Sequence, residues 1–447
     1  MNASMLKRVL WTAGALAVYL AMHHVPIPVL DLEALYSLMS VLEGSVHLSR
    51  ASIIALGIRP FFIAFLVVEL CSLVVPVGRR IRTGGWEGRQ KLNRHAIMLA
   101  VLISLIQALG LSFALEGLTI VDGHPLVPHP GWTSRLLIML TLTATSCAAF
   151  MLFNFVSARG FGNGFCLVMT FELAMDVPKS LAHLRASDYE VTDIVSPYVA
   201  AFLISTLIVA GIHVKREPYE ISIKGRTSVT FLPSFPQGVI PITLCYYLLD
   251  LPATIPPLTS PGAGSWALTP VQYLTGVIVL VPILSFTTVH FFSTRKRIES
   301  NLPRPSLPPW FDTLLRNRLY LTTAGLTAMA SGYAAVELYL LGGYLSYLPD
   351  FFEMVMIVAI GIDLVDEWRF RSNHPEAERL IELDNVHLAL YLRSVLRDRY
   401  VPCVVQTLHF RGLFFFLRPL YKMSVLVPAD RLDEARELVN ELNPRVL

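Results

Sequence analysis

The sequence predicts an all-α polytopic membrane protein of ten transmembrane helices, residues 1–370, followed by a small cytoplasmic α/β domain of ferredoxin-like order, residues 371–447. Three observations carry this. Hydrophobic residues make up 54% of the 447 and charged residues 15%, where soluble globular proteins carry about 25% charged, and the mean hydropathy is +0.56. Apolar runs of spanning length recur through residues 9–367, and lysine and arginine gather in alternate loops between them. After about residue 368 the composition turns mixed and polar. The net charge of +3 is too small to point to nucleic acid.

A helix crosses the bilayer core with roughly 20 apolar residues. Spans are expected at 9–26, 60–77, 96–117, 135–156, 164–183, 196–214, 237–256, 268–293, 319–341 and 350–367. The fifth is interrupted by Glu172, Asp176 and Lys179. The first resembles a signal segment after the basic Met1 to Arg8, but His23-His24-Val25-Pro26 follows it instead of a small-residue cleavage site, so it is read as a retained span. With the N-terminus inside, the inner loops hold Arg79, Arg80, Arg82, Arg89, Lys91 and Arg94, then Arg159, then Lys215, Arg216, Lys224 and Arg226, then Arg295, Lys296, Arg297, Arg304, Arg316 and Arg318. The outer loops 118–134, 257–267 and 342–349 hold no Lys or Arg, the outside exceptions being Arg50, Arg59 and Arg185. This positive-inside bias places both termini in the cytoplasm.

Between the first two spans runs Ser49-Arg50-Ala51-Ser52-Ile53-Ile54-Ala55-Leu56-Gly57-Ile58-Arg59-Pro60, a half-polar, irregular string that leads straight into an apolar run. Irregular backbone is tolerated at membrane depth only where it is buried in protein or lines a wet cavity. The string therefore points to a chain that surrounds a cavity.

In the C-terminal region, Leu380 to Leu383, Val401 to Leu408 and Lys422 to Val427 read as strands. Asn385 to Arg397 reads as an amphipathic helix with apolar Val386, Leu390 and Leu396. Asp430 is expected to cap a last helix running to about Leu442, with Leu432, Ala435, Leu438 and Val439 on its apolar face. The β-α-β-β-α order suggests a ferredoxin-like unit.

The cysteines, Cys71, Cys147, Cys166, Cys245 and Cys403, form no CxxC pair and read as small buried hydrophobes. His23, His24, His124 and His129 face outside by topology, with no thiol or carboxylate at ligand spacing, so no metal is expected. No nucleophile elbow, P-loop or His-Glu-x-x-His string occurs, which argues against an enzyme and against a cofactor. The intramembrane ionisable residues Glu69, Glu172, Asp176, Asp250, Glu337 and Asp363 suggest function by default. They are scattered over many spans, which weakens a proton- or ion-relay reading.

Several strings resemble the SecY family, the pore subunit of the bacterial protein-translocation channel. They are the string before Pro60, Arg159-Gly160-Phe161-Gly162-Asn163-Gly164, Gly238-Val239-Ile240-Pro241-Ile242 with Pro252-Ala253-Thr254-Ile255 after it, Val25-Pro26-Ile27-Pro28 and Gly88-Arg89-Gln90-Lys91. The likeness runs over roughly residues 5–370. It implies two pseudo-symmetric five-helix halves around an hourglass pore in the bacterial plasma (inner) membrane, conducting polypeptides across or into it. It implies a plug at residues 44–58, including Ser49, Arg50, Ala51, Ser52, Ile53 and Leu56, and a pore ring of Phe62, Met169, Leu173 and Thr243 with Ile360 or Gly361. It implies a lateral gate between spans 2 and 7, with 3 and 8 behind them; Glu69, deep in the second span beside that gate, reads either as a gate hydrogen-bond partner of Gln107 or as a protonated or snorkelling carboxylate. Partner loops would carry Lys224, Arg226, Arg295, Lys296, Arg297 and Arg304, and the implied partners are SecE, SecG, and SecA or the ribosome.

Loop 215–236 alternates Tyr219, Ile221, Ile223, then Lys224-Gly225-Arg226, then Val229, Phe231, which is a hairpin pattern. It reads either as a handle for a cytoplasmic partner or as a solvated basic loop. The glycine loop 159–164 reads either as a tight inter-helix turn or as a functional element. Departures from the family are Glu69 in place of a usual Gln, Thr243 in an aliphatic ring, Arg59 beside the plug, Phe235-Pro236-Gln237 before the Gly-Val-Ile-Pro string, Pro303-Arg304-Pro305 in loop 294–318, and the C-terminal domain itself. Two rival readings remain: an inverted-repeat secondary transporter, and a non-conducting membrane scaffold acting through its C-terminal domain.

Overall fold

The computed structural model describes residues 3–35, 51–83, 85–117, 125–172, 174–175, 219–223, 226–230, 270–292, 310–335, 351–383, 386–413 and 423–441, with isolated positions between 199 and 249. The chain divides into two compact units, Met1–Phe171 and Glu172–Leu447.

The first unit holds α1 (Ala3–His24), α2 (Arg59–Val74), α3 (Pro76–Thr83), α4 (Gly85–Gly117) and α5 (Trp132–Arg159). α4 packs on both α2 and α5, and α1 packs on α5. Prolines set the ends of α2. Pro60 sits in its first turn, where a missing N–H strands nothing. Pro76 cannot continue the helix, and the chain turns extended at Val75 (φ −78°, ψ 126°) after the Val75 N–H donates to the Cys71 carbonyl at 2.8 Å. The expected span 60–77 is thereby cut to 16 residues, about 24 Å of helix. The basic residues Arg79, Arg80 and Arg82 fall on the separate helix α3.

One end of this unit is closed by a core of Ile27, Leu30, Leu35, Ala51, Leu126 and Ile138 with their neighbours. The loop after α1 is stitched into it. Asp31 Oδ1 accepts from the Glu33 N–H at 2.9 Å, and the Asp31 N–H donates to the Leu126 carbonyl at 3.0 Å. Arg135 Nε and Nη2 both donate to Glu116 Oε2, at 2.9 and 2.6 Å, tying α5 to the end of α4.

The second unit holds a two-stranded hairpin, β1 (Tyr219–Ile223) with β2 (Arg226–Thr230), then α6 (Pro270–Phe292), α7 (Trp310–Ala335) and α8 (Phe351–Asn373). The hairpin is antiparallel with Ile223 opposite Arg226; Lys224 and Gly225, between them in the sequence, lie outside the described residues. α6 packs on α7. Among the described residues, four helical stretches are long and apolar enough to cross a membrane: Met5–His24, Gln90–Gly117, Trp132–Arg159 and Val271–His290. The expected spans 164–183, 196–214 and 237–256 lie largely outside the described residues, with 164–172 helical.

The unit ends in β3 (Ala377–Leu383), α9 (Val386–Asp398), β4 (Val404–Val405), α10 (Leu408–Leu413), β5 (Met423–Pro428), a 3₁₀ turn over Ala429–Arg431 and α11 (Leu432–Glu441). The sheet runs β3-β5-β4, antiparallel at both interfaces. β5 is central and every one of its residues is buried. The core gathers Leu388, Leu392 and Leu396 of α9, Val425 and Val427 of β5, and Leu432, Ala435, Leu438 and Val439 of α11.

Four local expectations change. The strand expected over Val401 to Leu408 shrinks to Val404–Val405. Tyr400 and Thr407 on either side of it hold φ of 56° and 57°, outside strand geometry. Leu408 instead opens α10, which the sequence pattern does not announce. Asp430 lies in the 3₁₀ turn, and α11 starts two residues later at Leu432. Cys71, expected inside, is exposed on α2, while Cys166 and Cys245 are buried.

Candidate functional site

The half-polar string ahead of α2 is not a surface loop. From Ala51 onward it is folded into the first unit as a bridge and a run of turns. Ser52 pairs with Pro26 in an antiparallel bridge, the Ile27 N–H donates to the Ala51 carbonyl at 3.0 Å, and the Ile53 N–H donates to the Val25 carbonyl at 2.9 Å. The Thr145 hydroxyl on α5 lies within hydrogen-bond reach of the Ile53 carbonyl and shares its one proton with the Thr141 and Leu142 carbonyls of its own helix. Beyond it, Ala55 N–H reaches the Ser52 carbonyl at 3.0 Å and Gly57 N–H the Ile54 carbonyl at 2.7 Å. Ser52, Ile54 and Ile58 are buried. Backbone groups that no helix satisfies are thus answered by α1's exit segment and by a side chain of α5, which is what buried irregular backbone requires.

The other residues singled out in the sequence fall as follows. Ala51 is buried, and Ile53 and Leu56 are half-buried, in this segment; Ser49 and Arg50 lie outside the described residues. Phe62 is half-buried on the first turn of α2. Its neighbour Phe61 turns inward and stacks on Phe150 of α5, centroids 4.5 Å apart and planes within 9°. Met169 is half-buried on the helical stretch 164–172, and Ile360 on α8 is buried with Gly361 half-buried beside it. Leu173 and Thr243 lie outside the described residues. Glu69 is buried on α2 and its carbonyl accepts from Ser72 Oγ at 2.7 Å. Gln107 is half-buried on α4, the helix that α2 packs against. Arg226 opens β2; Lys224, Arg295, Lys296, Arg297 and Arg304 lie outside the described residues.

The glycine loop after α5 is a packed joint. Gly162 takes φ 74°, the left-handed region that glycine enters without strain. A Cβ on Gly164 would stand 2.1 Å from the Phe153 carbonyl oxygen, so only glycine permits this approach. Asn163 Oδ1 accepts from the Phe165 N–H at 3.1 Å and caps the helix that follows. Two residues of α1, unmarked in the sequence, hold the loop from the other side. Thr12 Oγ1 accepts from the Phe161 N–H at 2.9 Å, and Arg8 Nη1 donates to the Gly160 carbonyl at 3.3 Å. These bonds make the loop a tight, tethered turn.

Sequence reasoning also gave no task to His409. Asp363, on α8, is one of the ionisable residues flagged as intramembrane, yet its carboxylate is taken up by the C-terminal region. Oδ1 accepts from His409 N at 2.9 Å and from His409 Nδ1 at 2.7 Å, and Oδ2 accepts from Phe410 N at 2.9 Å. Eight residues on, Arg371 Nε donates to Glu367 Oε1 at 2.7 Å and its Nη1 to the Ala377 carbonyl at 3.2 Å, all buried.

The family model described as SecY matches residues 52–305. The protein translocase subunit SecY of Aquifex aeolicus (strain VF5) is 25% identical over 275 residues, covering 56% of this chain and 64% of that protein, so this chain spans under two thirds of that relative's length. The protein translocase subunit SecY of Escherichia coli (strain K12) is 26% identical over 313 residues, covering 64% of this chain and 70% of that protein. One solved structure, described as the SecY plug domain stabilising the closed state of the translocation channel and maintaining a membrane seal, is similar with a TM-score of 0.51 at 16% identity, over 83% of this chain and 93% of that one; at that identity the likeness is one of fold. Since the family model takes in more than half of its residues, the chain belongs to the SecY family.

Proposed function

We propose that the protein is a protein-conducting channel for translocation or membrane insertion of polypeptides, closed at rest by the segment ahead of α2. The observation that carries this reading is the buried, internally bonded course of Ala51 to Ile58 against α1 and α5. Such a stopper seals the resting pore and is held by a handful of hydrogen bonds, few enough for an arriving chain to displace. In this reading ten spans form two five-helix halves in the bacterial plasma membrane, with both termini cytoplasmic. Phe62, Met169, Leu173, Thr243 and Ile360 form a ring, apolar but for the Thr243 hydroxyl, that blocks ions by dewetting yet deforms around a passing chain. Glu69 and Gln107 on the packed pair α2 and α4 form the polar element of a lateral gate. Residues 371–447 form a ferredoxin-like βαββα domain; the β3-β5-β4 order, antiparallel throughout, supports this. The translocating polypeptide is the cargo. SecE, SecG, and SecA or a ribosome are the partners, with Lys224, Arg226, Arg295, Lys296, Arg297 and Arg304 on the loops that meet them.

The test removes residues 44–57 and measures conductance in planar bilayers. An ion leak is expected, and unchanged conductance contradicts the plug. Photocrosslinking from Phe62 and Leu173 to an arrested nascent chain tests conduction itself. Solute uptake abolished at Glu69 or Asp250, with no crosslink, would favour the transporter instead.

A further inference from the structure

We infer that residues 375–441 are not a tethered appendage but a clamp, which grips the inner part of α8 with α10 and covers the β1–β2 hairpin with α9. The clamp is carried by observations separate from the channel reading. The first is the burial of α9. Val386, Leu388, Ala389, Leu390, Leu392, Ser394 and Leu396 are buried, and Tyr391, Arg393 and Val395 between them are half-buried. These positions run around the whole circumference of the first turns of the helix. The three-stranded sheet lies against one side of this amphipathic helix, with α10 and α11 also touching it. Strand β2 of the hairpin lies against α9 and supplies the second cover. The second is the attachment to α8. Asp363 answers two backbone N–H groups at the start of α10 and the His409 ring, and Arg371 bridges Glu367 to the first residue of β3. Asp363, Glu367, Arg371 and His409 are all buried, so both attachments are shielded from water. The hairpin, α9, α10 and the end of α8 therefore move together. A cytoplasmic partner that reads the hairpin meets it already occupied by the chain's own C-terminal domain and has to displace α9 to gain the covered side.

The experiment uses the full-length protein in membrane vesicles with the cytoplasmic face outward. Cysteine pairs join Thr227, Ser228 or Val229 of β2 to Tyr391, Arg393 or Val395 of α9, with a specific protease site inserted at 298–302. Short bismaleimide crosslinks are expected to hold the two fragments together after cleavage in at least one pair. A control pair from Ser228 to Glu437, exposed on α11, is expected to fall apart. If no β2–α9 pair holds, or the control holds equally well, the clamp is wrong. A second measurement needs no added cysteine. Tryptic cleavage at Lys224 and Arg226, read against cleavage at Arg295, is expected to be on the order of tenfold faster in Asp363→Ala than in the unaltered chain, because the domain has lost its grip on α8. Equal rates overturn the proposal.

Discussion

Asp363 and His409 stand 46 residues apart in the chain and meet at 2.7 Å, Oδ1 to Nδ1, nearly closed to solvent. The same carboxylate caps the first backbone N–H groups of α10. A residue that looked like an ion-relay candidate by its position in an apolar run has its carboxylate taken up by His409 and Phe410 instead.

Replacing Asp363 by Ala strands three buried donors. Each such donor costs about 1–3 kcal/mol, so α10 is expected to open well before the rest of the protein. Asp363→Asn keeps one carbonyl oxygen and is expected to lose less. Hydrogen exchange over residues 408–411 reads both; protection equal to the unaltered chain contradicts the prediction.

Burial raises the Cys403 thiol from the usual 9.0 to about 11, outweighing Arg393 and Arg397, which pull it down. At neutral pH the thiolate is scarce, and Cys403 is expected to alkylate slowly, the rate climbing as pH approaches 11. The folded domain holds this proton more tightly than the unfolded chain does. Its stability contribution is therefore complete below about pH 9 and lost as pH rises through about 11. Peptide mass spectrometry after timed alkylation at several pH values checks the first part, and alkaline unfolding of Cys403→Ala the second.

Thr145→Val removes the hydroxyl that answers the Ile53 carbonyl. One lost hydrogen bond at a part-buried position costs about 0.5–1.5 kcal/mol, here within the proposed stopper. The variant is expected to leak ions at a rate between the intact protein and the 44–57 deletion. Conductance indistinguishable from the intact protein would remove Thr145 from the seal. Thr243→Ile, which removes the hydroxyl from the proposed pore ring, is expected to move the same measurement the other way.

Gly164→Ala sets a methyl against the Phe153 carbonyl, and the backbone of the joint has to shift. Overpacking of this kind costs about 1–3 kcal/mol. Gly332→Ala, with nothing within 4 Å of the new methyl, serves as control. Thermal unfolding in detergent is expected to fall for the first and stay level or rise for the second.

Much of this architecture is legible in the sequence because its signals are local. A run such as Val271–His290 announces a helix by composition alone, and Tyr219, Ile221 and Ile223 around Lys224-Gly225 announce a hairpin by alternation and turn chemistry. In the C-terminal domain the apolar spacing of Leu432, Ala435, Leu438 and Val439 marks the buried face of α11 correctly. The errors sit where a short segment answers to distant neighbours. β4 stops at Val405, and Thr407 just beyond it adopts a left-handed conformation that its residue type does not suggest. Nothing near Asp363 names His409, nothing near Thr12 names Phe161, and nothing in Thr145 names Ile53. Polar pairs joined across the fold leave no periodicity, so the bonds that position the candidate plug and the C-terminal domain become visible only in three dimensions.

The bonds from Arg8 and Thr12 to the glycine loop also bear on the order of assembly. They span about 150 positions and fall wholly within the first unit, so both partners of each bond exist once residue 171 has been made. At 5–20 residues per second, residues 172–447 take on the order of 15–50 s more to synthesise. The first five helices thus have ample time to settle in the bilayer ahead of the later ones, and stalled chains that end beyond this unit are expected to have acquired protease resistance already.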